Sequence, residues 1–569
     1  MKIRKMKKYP LSKFYTFLII FCSIYGLSVF TPIYAQSLAV GMSTFEDYYR
    51  QQQLLGNLKS DVSFSVRPIY PRVSFEKSSI FFVDNTTSTS KKPSYDEETE
   101  WKILPVNFTT QINTGFPYGW NDGPMIPAKG LQTYISAGVY TEIGPFSLQL
   151  NPEIVFATND YFDELAKEHY EIIIARYYDA YNKIDLPARF GNSAYAAFNL
   201  GQSSIRYNNK SLSVGLSSEN LWWGPGRKNS LLMSNSAPGF FHFTLNTLAP
   251  LKSPIGSFEG QLIGGLLTGS GYEPLAESRS FQNSPLTVEL PDSDRYLSGI
   301  TLVYQPKWVP GLFLGFGQTK QLYTNDLDGF TDYLPFSTGN KKDGVSSPLN
   351  LEDIRRSVFF RWLWPEENAE IYFEYGRSNV SNNTRDNLLQ PNQSRAYTFG
   401  LNKLFPFGSR DSEYLSIGLE ATQLQQTDEV SIDVIDSWYA HPYVRHGYTQ
   451  VGQMIGAGIG PGANVQSLDM SWVKGLKRLG LVFERYVHNN DLYFYMFKDS
   501  FDFRRHWVDL SVGAVAAWDY KNFVFHSKIQ ATNAFNYQWY LEQRPENPYM
   551  VNGRDAFNLH VKLGLNYRF

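Results

Sequence analysis

One short stretch, SSENLWWGPGRKNSLLMSNSAPGFFHF, gathers side chains able to hold a flat, hydroxylated ligand: Glu219, Asn220, Trp222, Trp223, Arg227 and Asn235. Sugars present apolar faces and clustered hydroxyls, so a saccharide site pairs aromatic rings with planar hydrogen-bonding groups. Trp222 and Trp223 supply rings, while Glu219, Asn220, Arg227 and Asn235 supply donors and acceptors. The same residues have a plainer use, because Trp at a strand end also builds an aromatic girdle and Gly224-Pro225-Gly226 also makes a turn. A second stretch, SWYAHPYVRHGYTQVGQ, places Tyr439, His441, Arg445 and Tyr448 in a long loop, suited either to saccharide contact or to internal hydrogen bonding. His441 and His446 come with no fixed third ligand, so no metal and no cofactor is expected.

Other chemistry is absent from the pattern. Nothing matches a G-x-S-x-G elbow or an H-E-x-x-H helix, so the chain reads as non-enzymatic. The glycine run GAGIGPGAN from Gly456 lacks the strand-turn-helix setting that gives a dinucleotide loop its meaning. Glu366 and Glu367 sit in a tight turn and read as solvated charges rather than a glycosidase pair.

The elements that must position these residues are strands. The last thirteen residues, FNLHVKLGLNYRF, alternate apolar and polar without a break, giving one wholly apolar and one wholly polar face. Tyr567 and Phe569 on that strand resemble the terminal signal read by the barrel assembly machinery. At the other end, Lys2, Arg4, Lys5, Lys7, Lys8 and Lys13 precede an apolar run and Ala35, the pattern of a secretory signal peptide over residues 1–35. Its loss removes six of the 52 cationic side chains, and against 54 acidic ones the remainder carries a net charge of about -8, which argues against nucleic acid as a partner. The single cysteine, Cys22, lies within the leader, so the remaining chain is expected to have no thiol or disulfide. An aromatic content of 16% suits girdles and alternating strands, and no long apolar run follows Ala35, so any membrane crossing must use strands.

Eighteen strand candidates start near Val62, Leu131, Phe146 and onward to Phe557, with tight turns alternating with long polar loops; the stretch from Pro71 to Gly130 has room for a further strand pair. That alternation fits short periplasmic turns and long outer loops. Two segments break the strand rhythm. STFEDYYRQQQLLG, with a capping box from Ser43 to Glu46, predicts a short amphipathic helix within a periplasmic segment 36–60, ahead of a barrel over 61–569. YFDELAKEHYEIIIARYYDAYNKIDLPARFG predicts a helix in a long loop that plugs the lumen or lies over its mouth.

The WWGPGR…SLLMSN…PG pattern, the helix ending in QLLG, the DLPARFG segment and GYTQVGQMIGAGIGPG together resemble the Wzi family of outer-membrane capsule assembly proteins. The chain is also similar to relatives from gliding bacteria. The resemblance implies an eighteen-stranded barrel with a helical N-terminal piece that acts as a surface lectin for capsular polysaccharide. The expected fold is therefore all-β: a single 18-stranded antiparallel transmembrane β-barrel of the Gram-negative outer membrane, with a short N-terminal helix and long external loops partly plugging the lumen. The expected partners are outer-membrane lipid, surface polysaccharide, the barrel assembly machinery during insertion and protein partners in the periplasm or at the surface. A motility or adhesin-display role and a diffusion porin are the alternatives.

Overall fold

The computed structural model describes residues 36–58, 61–75, 100–336, 351–378, 394–407, 412–426, 437–499, 504–540 and 554–569. The expected leader and Cys22 lie outside them. Among the described residues no helix is long and apolar enough to cross a membrane.

A large antiparallel sheet dominates. Its first strand is broken in two, Glu100–Ile103 and Val106–Asn113, and Val106–Asn113 pairs on one side with Gly130–Ser136. On its other side it pairs with the last strand, Ala556–Tyr567, in the register Val561↔Ile112 and Tyr567↔Val106. The strand expected at Val62 is therefore a correction: that segment is not part of this sheet, and the strand opening the sheet falls inside the Pro71–Gly130 stretch. The turn expected at Lys477–Gly480 also moves, to Gly475-Leu476, where Gly475 takes the left-handed conformation that a tight turn requires.

Alternation along the strands separates two environments. On Val106–Asn113, Gln111 and Asn113 are buried while Phe108 and Ile112 stand exposed, the reverse of a water-soluble sandwich. The closing strand does the same, with Asn558 and His560 buried, Phe557, Leu563 and Phe569 outside. Apolar side chains facing out of a sheet are stable only where lipid replaces water.

The interior is packed. Helix α1 (Ser43–Leu54) lies against the inner face of the sheet near the short-turn end, and it buries the polar Arg50, Gln51 and Gln53 along with the apolar Phe45, Tyr49 and Leu54. Arg50 Nε binds the Glu370 carboxylate at 2.9 Å, and Gln53 accepts from Arg361 at 2.8 Å. The expected capping box does not form, because Met42 is the N-cap and the Glu46 carboxylate is drawn instead to Arg67 at 3.3 Å. The inner piece continues through Val66–Arg67 to the short helix α2 (Pro71–Phe75), past the boundary expected at residue 60. Two further helices, α3 (Glu171–Tyr181) and α4 (Asn490–Phe497), pack together at the long-loop end around Ile173, Tyr177, Leu492 and Met496. Helix α3 is the one expected from periodicity, shortened at its start. Helix α4, in NDLYFYMF, was not expected; it is apolar nearly all round, so its pattern has no period to read.

Candidate functional site

The WWGPGR stretch turns inward. Trp222-Trp223 pairs with Val66-Arg67 as a two-stranded ribbon inside the sheet, and Gly224 N donates to Ser65 O at 2.9 Å. Gly224, at φ +130, needs glycine both for that conformation and because a Cβ would stand 2.8 Å from the Glu374 carboxylate. Backbone amides brought into a lumen need acceptors, and wall carboxylates supply them. Glu420 accepts from the amides of Arg227 and Asn229, each at 2.8 Å, and Glu374 accepts from Leu231 N at 3.2 Å.

The ten residues expected to bind saccharide meet partners within the protein. Trp223 is 0% exposed, with its Nε1 donating to Gln261 at 2.8 Å, and Trp222 lies under the Arg67 guanidinium. Glu219 is buried and accepts from Arg206 and Ser37, each at 2.5 Å; burial acts to raise its pKa, but Arg206 and the hydroxyls outweigh that and hold it below the usual carboxylate range. Asn220 donates to Asn235 at 2.7 Å, and Asn235 donates to Asn121 O at 3.0 Å. Arg227 binds Asp47 of α1 at 2.5 Å.

In the second stretch, Tyr439 and Tyr448 stack at 5.8 Å, fully buried, their hydroxyls held by Leu231 O and Thr319. His441 Nδ1 accepts from Val444 N at 2.9 Å. Each guanidinium nitrogen of Arg445 donates to one carbonyl, those of Asn182, Glu289 and Val288, tying the end of α3 to a neighbouring loop. Eight of these ten side chains are buried and Arg227 and Arg445 are half-buried, while Arg227 and Asn235 also border interior cavities. Hydrogen-bonding residue types look the same in sequence whether they serve a ligand or a buried loop.

The surface suited to a ligand lies elsewhere, in a vestibule of about 230 Å³ at the long-loop end. An arc of rings lines it. Trp120 meets Tyr486 edge-on at 5.4 Å, Tyr486 meets His488 at 3.9 Å, and His488 stacks on Trp507 at 3.6 Å with planes 10° apart. Trp507 then meets Trp539 edge-on at 5.3 Å. One carboxylate orients two of these rings: Asp509 accepts from Trp507 Nε1 and contacts His488 Nε2, both at 2.9 Å. Two buried donors in the lining, Gln453 Nε2 and Trp539 Nε1, have no partner in the protein. Sequence reading missed this set because its members are scattered: Trp120 and Trp539 come from two different loops, and Tyr486, His488 and Trp507 from a strand end and the two ends of a third. Leu186, Pro187 and Ala188 of DLPARFG and the glycines Gly452, Gly458 and Gly460 also line the vestibule. Gly456 lets the chain pass Tyr439, since a Cβ there would lie 2.5 Å from the Tyr439 hydroxyl.

Among the described residues no group of three or more His, Cys, Asp or Glu side chains is placed to hold a metal ion. The vestibule thus offers ring faces and hydrogen-bonding groups.

A family model described as capsule assembly protein Wzi matches residues 121–500. The chain belongs to this family. Wzi of Escherichia coli, described as an outer-membrane protein involved in group 1 capsule assembly and a carbohydrate-binding β-barrel, superposes with a TM-score of 0.58 at 12% identity, covering 94% of this chain and 100% of that one. OccAB4 of Acinetobacter baumannii covers 84% of this chain and 99% of its own at 10% identity, with a TM-score of 0.38. OpdQ of Pseudomonas aeruginosa covers 82% and 97% at 9% identity, with a TM-score of 0.35. No curated protein matches the chain in sequence. Family membership places the protein in the outer membrane of a Gram-negative cell, where the outward apolar face of its sheet meets lipid.

Proposed function

We propose that this protein is a lectin-like, non-enzymatic outer-membrane barrel that binds surface polysaccharide and helps to assemble or retain it as capsule. The observation that carries the reading is the vestibule: a continuous arc of aromatic rings at the long-loop end, two of them oriented by Asp509, with unpartnered donors at Gln453 and Trp539. Ring faces stack on the apolar faces of pyranoses, and fixed donors select hydroxyl positions. Carbohydrate binding in the E. coli relative supports the same ligand class.

The barrel itself is read as eighteen staves forming a closed ring. Support comes from counting each interrupted strand, such as Gly130–Ser136 with Val139–Ile143, as one stave, and from the pairing of the last strand with the first. The interior packing of α1 and the inward loops favours a binding barrel over a diffusion porin. No observation favours the motility role over the capsule role.

The experiment replaces Trp120 and Trp507 with Ala, singly and together, and measures cell-bound against shed polysaccharide with barrel abundance held equal. Increased shedding supports the reading. Unchanged retention with a defect in surface spreading transfers support to the motility role.

A further inference from the structure

A second cavity, of about 270 Å³, lies at the opposite, short-turn end, between the start of α1 and the sheet wall near Gly475-Leu476. It is separate from the aromatic vestibule but shares a thin partition with it, since Asp122 and Met125 border both. Small-molecule pockets run from about 300 to 1,000 Å³, so this cavity, just below that range, suits a ligand of a single sugar ring.

Its chemistry is specific. Glu153, 2% exposed, accepts on Oε1 from Tyr134 Oη and Gln202 Nε2, both at 3.0 Å, while its Oε2 has no partner in the protein. Asn151 Oδ1 and His526 Nδ1 are likewise buried and unpartnered. The His526 ring sits in space that Gly564 leaves open, where a Cβ would lie 1.9 Å from the ring. The half-buried ring of Tyr48 adds a flat apolar face. Glu153 Oε2 and Asn151 Oδ1 are acceptors, and buried acceptors without donors are costly, so this wall asks for a ligand that brings hydrogens to donate.

Charge narrows the class. Of the four lining cations, Lys562 is engaged by Asp122 at 2.5 Å, Lys528 by Glu484 at 3.8 Å and Arg478 by Asp47 at 3.1 Å, while Lys477 lies over the Trp518 ring at 4.8 Å. The open positions around Glu153 are acceptors, and a carboxylate beside them repels a phosphate or a uronate. A neutral sugar supplies hydroxyl donors in clusters and an apolar ring face for Tyr48.

We infer that this short-turn-side cavity is a second saccharide site, binding a neutral hexose-class unit through Glu153 and Asn151. It shares its ligand class with the proposed function but stands on residues that the outer vestibule does not use. On this account the protein contacts sugar on both sides of the Asp122 partition.

The test uses the full-length mature protein in lipid nanodiscs, which leave both faces open. Saturation-transfer NMR is recorded with an equimolar mixture of glucose, galactose, mannose and N-acetylglucosamine. At least one sugar is expected to receive transfer, and titration of that sugar should show about tenfold weaker binding to Glu153→Gln and to Asn151→Ala, the loss expected for one hydrogen bond to a charged or well-placed acceptor. Binding that survives in Trp507→Ala keeps the inner site distinct from the outer one. Transfer from none of the sugars, or binding that is unchanged in Glu153→Gln and Asn151→Ala, overturns the inference and leaves a water-filled cavity. Binding lost only in Trp507→Ala also overturns it, while supporting the outer vestibule alone.

Discussion

Replacing Glu370 by Gln should release helix α1 from the wall. The Glu370 carboxylate lies at 2.7 Å from Arg361 and 2.9 Å from Arg50, with side-chain exposures of 0% for Glu370 and Arg361 and 4% for Arg50. Arg227 adds a third cation at 3.9 Å. Neutralising the carboxylate leaves these guanidinium groups buried against one another. Removing one partner of a buried pair costs about 3–5 kcal/mol. The sheet keeps its own hydrogen-bonded ladder, so the loss falls on the docking of α1 and Val66–Arg67 rather than on the strands. At about 1.4 kcal/mol per tenfold, that raises the undocked population of α1 by two to more than three orders of magnitude. Hydrogen exchange over residues 43–54, read beside a heat-modifiable band shift reporting the sheet, separates the two. The double variant Glu370→Gln/Arg361→Met should regain part of the protection, because it removes a stranded cation as well as the anion. Unchanged exchange over α1 in Glu370→Gln would refute the claim that this ion cluster anchors the helix.

Deleting Phe569, whose ring meets Tyr567 edge-on at 4.9 Å, or replacing it with Asp, should lower the amount of heat-modifiable barrel in the outer membrane; normal abundance would count against a terminal assembly signal. Planar-bilayer recordings of the intact protein should show little conductance, since loops and α1 fill the interior, and large stable channels would contradict that packing. The Asp491 carboxyl at the start of α4 is raised by burial to about 6, although it accepts from Ser437 at 2.6 Å and from Gln426 N at 2.8 Å. Because the folded group binds its proton more tightly than the unfolded one, its contribution is present at low pH and is lost as pH rises from about 4 through about 6. Protease cleavage near 490–497 should therefore be slower at pH about 5 than at pH about 8, and Asp491→Asn should flatten that difference.

Much of the architecture was legible because lipid-facing strands must alternate. FNLHVKLGLNYRF has the two faces that its spacing implied, and the strands from Phe523 and Leu131 begin within a residue of their expected starts. The opening strand was hidden because it is broken at Leu104-Pro105, while Val62 to Arg67 carries apolar residues for a different reason, its contact with α1 and the inner wall. The site was far less legible. Sequence shows which residues can stack and hydrogen-bond, but not whether a loop folds inward or stands in solvent. Trp223 and Tyr448 are satisfied by Gln261 and Thr319 on the wall, contacts between residues far apart in the chain. Trp120, His488 and Trp507 form one ring arc only because the loop after Asn113 meets the two ends of the loop between Val487 and Val508.

The most direct test of the central claim is calorimetric binding of short oligosaccharides, cut from the producing cell's own surface polysaccharide, to the nanodisc-embedded protein and to Trp120→Ala/Trp507→Ala. Short fragments remove the avidity with which a repeating polymer masks a weakened site. Each lost ring should cost roughly 1–3 kcal/mol, so the account predicts saturable binding to the native protein and affinity reduced by at least about tenfold in the double variant, with the fold intact. Equal affinity for the two proteins would contradict it.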